Sequence, residues 1–258
     1  KNLSTEQNPT KRKWWLAASL VGNLGPLAYF KYGEFMLENF VSLSSLAGFD
    51  FHPAAPDIIL PVGISFYTFQ TLSYSLDMYN RKYAPEKSFL DFALFVTFFP
   101  QLVAGPIVRP DELIPQFKSP VKATLLQFNH GMFLLTLGLF MKVVLADSLL
   151  AGPADAVFSA GKDMNAIDAW MGVLAFSGQI FFDFGGYSTC AIGIALCLGF
   201  TIRYNFFYPY AAIGFSDFWR RWHITLSTWL RDYLYIPLGG NRKGIIRTYI
   251  NVMLTMLI

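Results

Sequence analysis

The segment DFWRRWHITLSTWLRDYLYIPLGGNRKG, Asp217 to Gly244, places one histidine, four arginines, two aspartates and three tryptophans in a chain that is otherwise oily. Imidazole is the side chain whose ordinary pKa lies inside the physiological range. Of the chain's three histidines, His223 alone has this many ionisable and aromatic neighbours. Proton transfer is therefore assigned first to His223, with Arg220, Arg221 and Arg231 able to bind an anionic donor and Trp219 and Trp222 able to shape a polar tunnel. Ser227 and Asp232 complete the candidate set.

An element must bring these side chains together. If Asp217 to Leu234 is one helix, with Ser216 as N-cap and Pro237, Gly239 and Gly240 as stop, then Trp219, Arg220, His223, Ser227 and Leu230 share a face. A second face carries Asp217, Arg221, Thr228 and Asp232, which can pair internally and make charge tolerable away from water. The same composition also fits an interfacial amphipathic helix with Arg and Trp at the lipid headgroups, and both readings stay open here. The trio Arg242, Lys243 and Arg247 reads as an orientation signal rather than a phosphate site.

The surrounding chain is 54% hydrophobic and 14% charged, with a mean hydropathy of +0.39. Soluble domains carry roughly 25% charged residues, so this is a membrane protein. The net charge of +3 is too small to suggest nucleic acid. Apolar runs at 14–30, 58–76, 90–108, 125–146 and 169–200 read as membrane elements, with another beginning near Ile245. Basic residues put the flanks of the first two runs in the cytoplasm and make 35–47 an interfacial helix. The run 90–108 reads as re-entrant, broken at Pro100, Gly105 and Pro106. Asp147 to Asp168 is acidic on balance and reads as external. The run 169–200 reads as two helices meeting at Gly185 and Gly186, with Asp183 either a cap at their junction or an element of an interior polar path. Cys190 and Cys197, seven apart on one helix face, cannot bridge.

Other chemistries find no support. His52 to Asp57 has the HxxxxD spacing of an acyltransferase motif, but Pro53 and Pro56 forbid a regular helix there. His130 reads as a satisfied structural histidine. No GxSxG, HExxH, Walker loop or dinucleotide fingerprint occurs, and there are no repeated halves of the kind common in secondary transporters.

The segments PVGISFYTFQTLSYSLDMYN (Pro61 to Asn80), FFPQLVAGPIVRPDELIPQF (Phe98 to Phe117) and FSDFWRRWHITLSTWLRDYLYIPLGGNRKG (Phe215 to Gly244) resemble the membrane-bound O-acyltransferase family, and within it the alginate O-acetylation branch. The resemblance implies an all-α integral membrane fold, a multi-helix ring or bundle with re-entrant and broken helices around a central tunnel. It implies one membrane-embedded core over 1–258, a piece cut at both ends. It also implies acetyl-CoA as donor substrate with no bound cofactor or metal, and an extracytoplasmic acetyltransferase and a polysaccharide as partners. The expected location is the bacterial inner membrane, with several spans. His223 matches one of two polar positions flanking the family's constriction. The other, a histidine in a tryptophan-histidine-glycine context, is expected shortly after Ile258, so the chain as given is expected to lack its main base. The three segments favour acetyl transfer to an exopolysaccharide without excluding branches that transfer D-alanine to teichoic acid or acetylate peptidoglycan or cellulose, and a transporter-like subunit of an export complex is the non-enzymatic alternative.

Overall fold

The computed structural model describes residues 2–49, 51, 53, 58–119, 122–160 and 164–257, all helix or irregular chain with no strand among them. The motif His52 to Asp57 lies largely outside the described residues. The chain divides into two compact units, Lys1–Thr97 and Phe98–Ile258.

The first unit holds α1 (Asn2–Thr5), α2 (Pro9–Leu46), α3 (Ile64–Tyr79) and α4 (Phe89–Thr97). Asn8 caps α2 by accepting from the Thr10 and Lys11 amides, and Pro9 needs no donor at the first position. The expected separation of a span at 14–30 from an interfacial helix at 35–47 is corrected: α2 runs unbroken for 38 residues. Pro26 and Gly33 each cost a helix only about 1 to 3 kcal/mol, too little to stop so long a run. Its interior polar groups pair with α3 in antiparallel register, Ser19 donating to Ser75 Oγ at 2.7 Å and Thr71 donating to Asn23 Oδ1.

In the second unit a 3₁₀ turn (Phe99–Gln101) leads through irregular chain to α5 (Pro110–Lys118). The break expected around Pro100, Gly105 and Pro106 is present. Gly105 turns so tightly that a Cβ would lie 2.4 Å from Gln101 Cα. The α5 helix is fastened to the chain beyond α8 by Glu112 to Arg203 at 2.6 Å and by Gln116, which donates to Thr201 O and accepts from Thr201 N.

Among the described residues two helices are long and apolar enough to cross a membrane, 125–159 and α8 (Ala166–Cys197). The first consists of α6 (Leu125–Leu139), a π-helical stretch (Phe140–Leu150) and α7 (Ala151–Ser159). They pack through glycine. A Cβ on Gly131 would sit 2.6 Å from Gly193 O, and one on Gly138 would sit 2.6 Å from Gly186 O, an antiparallel pair of contacts seven residues apart on each helix. Close backbone approach through small residues is the way helices associate in lipid. Cys190 and Cys197 lie on this seam as free thiols, facing Leu135 O and Phe128 O.

This packing corrects two expectations. Gly185 and Gly186 lie inside one continuous α8, because close contact with α6 offsets the small cost of glycine in a helix. Asp183 is therefore no cap. Its carboxylate meets Lys142 Nζ at 2.6 Å, while Asp147 meets the same ammonium at 2.8 Å from within the π-helical stretch. That wider turn aligns residues five apart, Lys142 with Asp147 and Val143 with Ser148. His130 is exposed on α6.

Candidate functional site

The short helices α9 (Phe215–Arg221) and α10 (Ile224–Leu230) flank His223, followed by a π-helical turn (Arg231–Tyr235) and later by α11 (Ile245–Leu257). The expectation of one helix over Asp217 to Leu234 is corrected at Trp222 and His223. Trp222 is extended (φ −101°, ψ 128°) and His223 is left-handed (φ 43°, ψ 53°). The helix starts after Gly214, so Ser216 is not the cap. The stop is as read, for regular structure ends at Tyr235 ahead of Pro237, Gly239 and Gly240.

The break has a physical cause. A competing partner, the loop around Asn205, takes the backbone groups a continuous helix would use. Ile224 N donates to Asn205 O at 2.8 Å, Thr225 N donates to Asn205 Oδ1 at 3.2 Å, and Phe207 N donates to Arg221 O at 2.9 Å. Thr225 Oγ1 also donates to Asn205 Oδ1 at 3.0 Å and accepts from Ile107 N at 3.0 Å. Asn205 Nδ2 reaches Ser188 Oγ on α8 at 3.3 Å. Asn205, Ser188 and Thr225 are all buried. Hydrogen bonds to buried donors are costly to lose, which lets this network hold a non-glycine residue in a left-handed turn that costs roughly 1 to 2 kcal/mol.

The turn aims His223 at Phe184 of α8, whose ring meets the imidazole edge-on at 4.7 Å and 84°. Nε2 is buried. Burial disfavours the charged ring and lowers its pKa from 6.5 to about 4. The lowered pKa favours the neutral ring at physiological pH, the form that can accept a proton.

The break also separates the expected face. Trp219 and Arg220 belong to α9, while Ser227 opens its own turn on α10 by donating its amide to His223 O at 2.9 Å. Trp222 points into an aromatic cluster, stacked on Phe218 at 5.5 Å and edge-on to Phe206 at 5.0 Å. Trp219 is 37% exposed.

The arginines divide by partner. Arg221 Nε meets Asp217 Oδ1 at 3.0 Å and holds that carboxyl below its ordinary pKa. Arg231 Nε meets Asp232 Oδ1 at 2.8 Å. Asp232 takes a second partner that sequence reading missed, Arg109, whose guanidinium lies 2.7 Å away and over the Tyr233 ring at 5.1 Å. Burial alone raises the Asp232 pKa, but Arg231 and Arg109 together leave it below its ordinary value. Arg220 reaches only Ser216 Oγ, at 3.4 Å, and has no carboxylate partner among the described residues. Arg242, Lys243 and Arg247 are exposed.

Sequence reading also missed Asn205, Thr225, Ser188 and Gln101. Both polar atoms of the Gln101 side chain are buried without a hydrogen-bond partner among the described residues. The available signal was their position, since Gln101 and Arg109 lie inside the FFPQLVAGPIVRP segment and Thr225 stands two residues after His223. No cluster of three or more His, Cys, Asp or Glu side chains is placed to hold a metal among the described residues.

Two long apolar helices thus stand in one unit with a broken, arginine- and tryptophan-rich segment that encloses His223. The membrane-bound O-acyltransferase family model matches residues 84–258, and the chain belongs to that family. It is 44% identical over 245 residues to the probable alginate O-acetylase AlgI of Pseudomonas putida, covering 95% of this chain and 50% of that protein. It is 42% identical over 280 residues to the peptidoglycan O-acetyltransferase of Helicobacter pylori, covering 98% and 52%. A more distant relative is the teichoic acid D-alanyltransferase of Streptococcus thermophilus, 32% identical over 69% of this chain and 44% of that protein. The chain spans about half the length of these relatives.

Proposed function

We propose that this chain forms the core of an O-acyltransferase that moves acetyl groups from cytoplasmic acetyl-CoA across the membrane for O-acetylation of an exopolysaccharide such as alginate. The observation that carries this reading is the 44% identity to probable alginate O-acetylases over 95% of the chain. The core is a single multi-pass body in a bacterial inner membrane, with its helices around a central tunnel. An extracytoplasmic acetyltransferase and the polysaccharide are its partners.

His223 is the catalytic residue within this chain. The acceptor hydroxyl gives its proton to the neutral imidazole as its oxygen bonds to the thioester carbonyl carbon, the C–S bond breaks, and the imidazolium returns the proton to the leaving thiolate. An imidazolium of pKa near 4 performs the return step readily. Arg220, lacking a carboxylate partner among the described residues, binds the donor's phosphates, with Trp219 and Ser227 beside the path. Arg221, Trp222, Arg231 and Asp232 form the wall through the pairs and stacking described above.

A second reading, acetyl transfer to peptidoglycan, is favoured by the 42% identity to the Helicobacter pylori enzyme over 98% of the chain. D-Alanyl transfer to teichoic acid has the weaker support of 32% identity. Full-length protein in membrane vesicles, supplied with labelled acetyl-CoA and each polymer in turn, separates them. Label appearing on alginate supports the first reading and label on peptidoglycan the second, while no consumption of acetyl-CoA with any acceptor or partner counts against both and leaves D-alanyl transfer or a non-catalytic subunit of an export complex.

A further inference from the structure

We propose that Asn205 is the positioning residue of this site, holding His223 in its left-handed turn so that the imidazole stays against Phe184. The proposal rests on the reading of His223 as the group that handles the proton. Asn205 stands in RYNFFYP, a segment outside the charged stretch and 18 residues before His223. Its side chain is 1% exposed, and each of its polar groups is engaged.

The geometry is that of a clamp. A left-handed residue between two helices leaves the first amides of the second helix unsatisfied, and such donors need an acceptor when buried. Asn205 supplies two, its carbonyl to Ile224 N and its Oδ1 to Thr225 N. The hydroxyl of Thr225 then passes the constraint on, donating to Asn205 Oδ1 and accepting from Ile107 N, which ties the irregular chain before α5 to the same point. Through Nδ2 and Ser188 the clamp is anchored to α8, the helix that also carries Phe184. The residue that locates the histidine is thus tied by a hydrogen bond to the helix that carries the ring packed on it. Removing the Asn205 side chain leaves Thr225 N and Oγ1 without their acceptor and removes what offsets the left-handed turn.

The test is labelling of the full-length protein in its membrane with diethylpyrocarbonate, quantified at His223 and His130 by peptide mass spectrometry, beside acetyl-transfer kinetics. Asn205→Ala is expected to speed His223 labelling about tenfold, the scale of one lost buried hydrogen bond, with exposed His130 unchanged. Thr225→Val is expected to do the same and Thr225→Ser to restore slow labelling. The kcat should fall with the faster labelling while KM for the donor changes little. Wild-type labelling of His223 in both Asn205→Ala and Thr225→Val overturns the proposal, and if Asn205→Ala does not fold, the Thr225 pair decides it alone. Faster labelling with undiminished acetyl transfer would instead count against a proton-handling role for His223 and leave the clamp standing.

Discussion

Arg109 and Asp232 stand 123 residues apart in the chain and 2.7 Å apart in space. The pair links the two segments whose residue types are least ordinary for a membrane protein, PIVRP and WLRDY. Each side chain is 19% exposed, and Arg109 also lies over the Tyr233 ring. A partly buried pair of this kind stabilises little relative to an apolar substitute, but breaking it strands a charge.

Asp232→Asn is accordingly expected to lower the stability of the full-length protein by about 2 to 3 kcal/mol, because Arg109 and Arg231 both lose their carboxylate. Arg109→Met should cost less, since Arg231 remains on Asp232. Thermal unfolding in detergent, compared between the two variants, checks the order. The wild-type contribution is present above the ordinary carboxylate pKa and is lost as pH falls through the lower pKa of the folded state.

The glycine seam predicts steep size dependence. A Cβ at Gly138 would meet Gly186 O at 2.6 Å and Cys190 Sγ at 2.6 Å, so Gly138→Leu should destabilise the helix pair by about 2 kcal/mol or more. Gly152, with nothing near its Cβ position, should tolerate alanine without loss. Resistance to proteolysis in vesicles, measured for both, reads the difference.

Lys142 sits between two carboxylates, so the three single neutralisations are unequal. Lys142→Met leaves Asp147 and Asp183 facing one another and is expected to be the most damaging, while Asp183→Asn and Asp147→Asn each leave one ion pair intact. The double variant Lys142→Met with Asp183→Asn should be better tolerated than the sum of its parts, by a coupling of about 1 kcal/mol or more. Membrane-inserted protein levels for the four variants test this.

Protonating His223 opposes folding. Its folded pKa, about 4, lies below the ordinary 6.5, so the unfolded chain takes up the proton first as pH falls. Above pH 6.5 the group is neutral in both states and contributes nothing. Between 6.5 and about 4 stability declines, and below that the loss levels off. His223→Gln should flatten this window in a plot of unfolding temperature against pH.

The residues that could do chemistry were plain in the sequence because charge in an oily chain is conspicuous, and the family followed from three segments. What distance in the chain hides was not plain. Glycines in FDFGGY look like a break when read locally, yet Gly186 is held inside a helix by contact with Gly138, 48 residues earlier. The helix through His223 was read as continuous because its local propensities allow it; the acceptors that break it belong to Asn205. Asp183 read as a cap for the same reason, since its partner Lys142 lies on another helix.

The central claim is that His223 in its neutral form carries the proton in acyl transfer. The measurement that tests it most directly is the pH dependence of acetyl transfer by the full-length protein in membranes, run beside His223→Ala at matched protein level. The account predicts a rate about 100-fold lower or more in the variant, and in the wild type an acid limb near pH 4 from His223. A His223→Ala protein that transfers acetyl groups at the wild-type rate would contradict it.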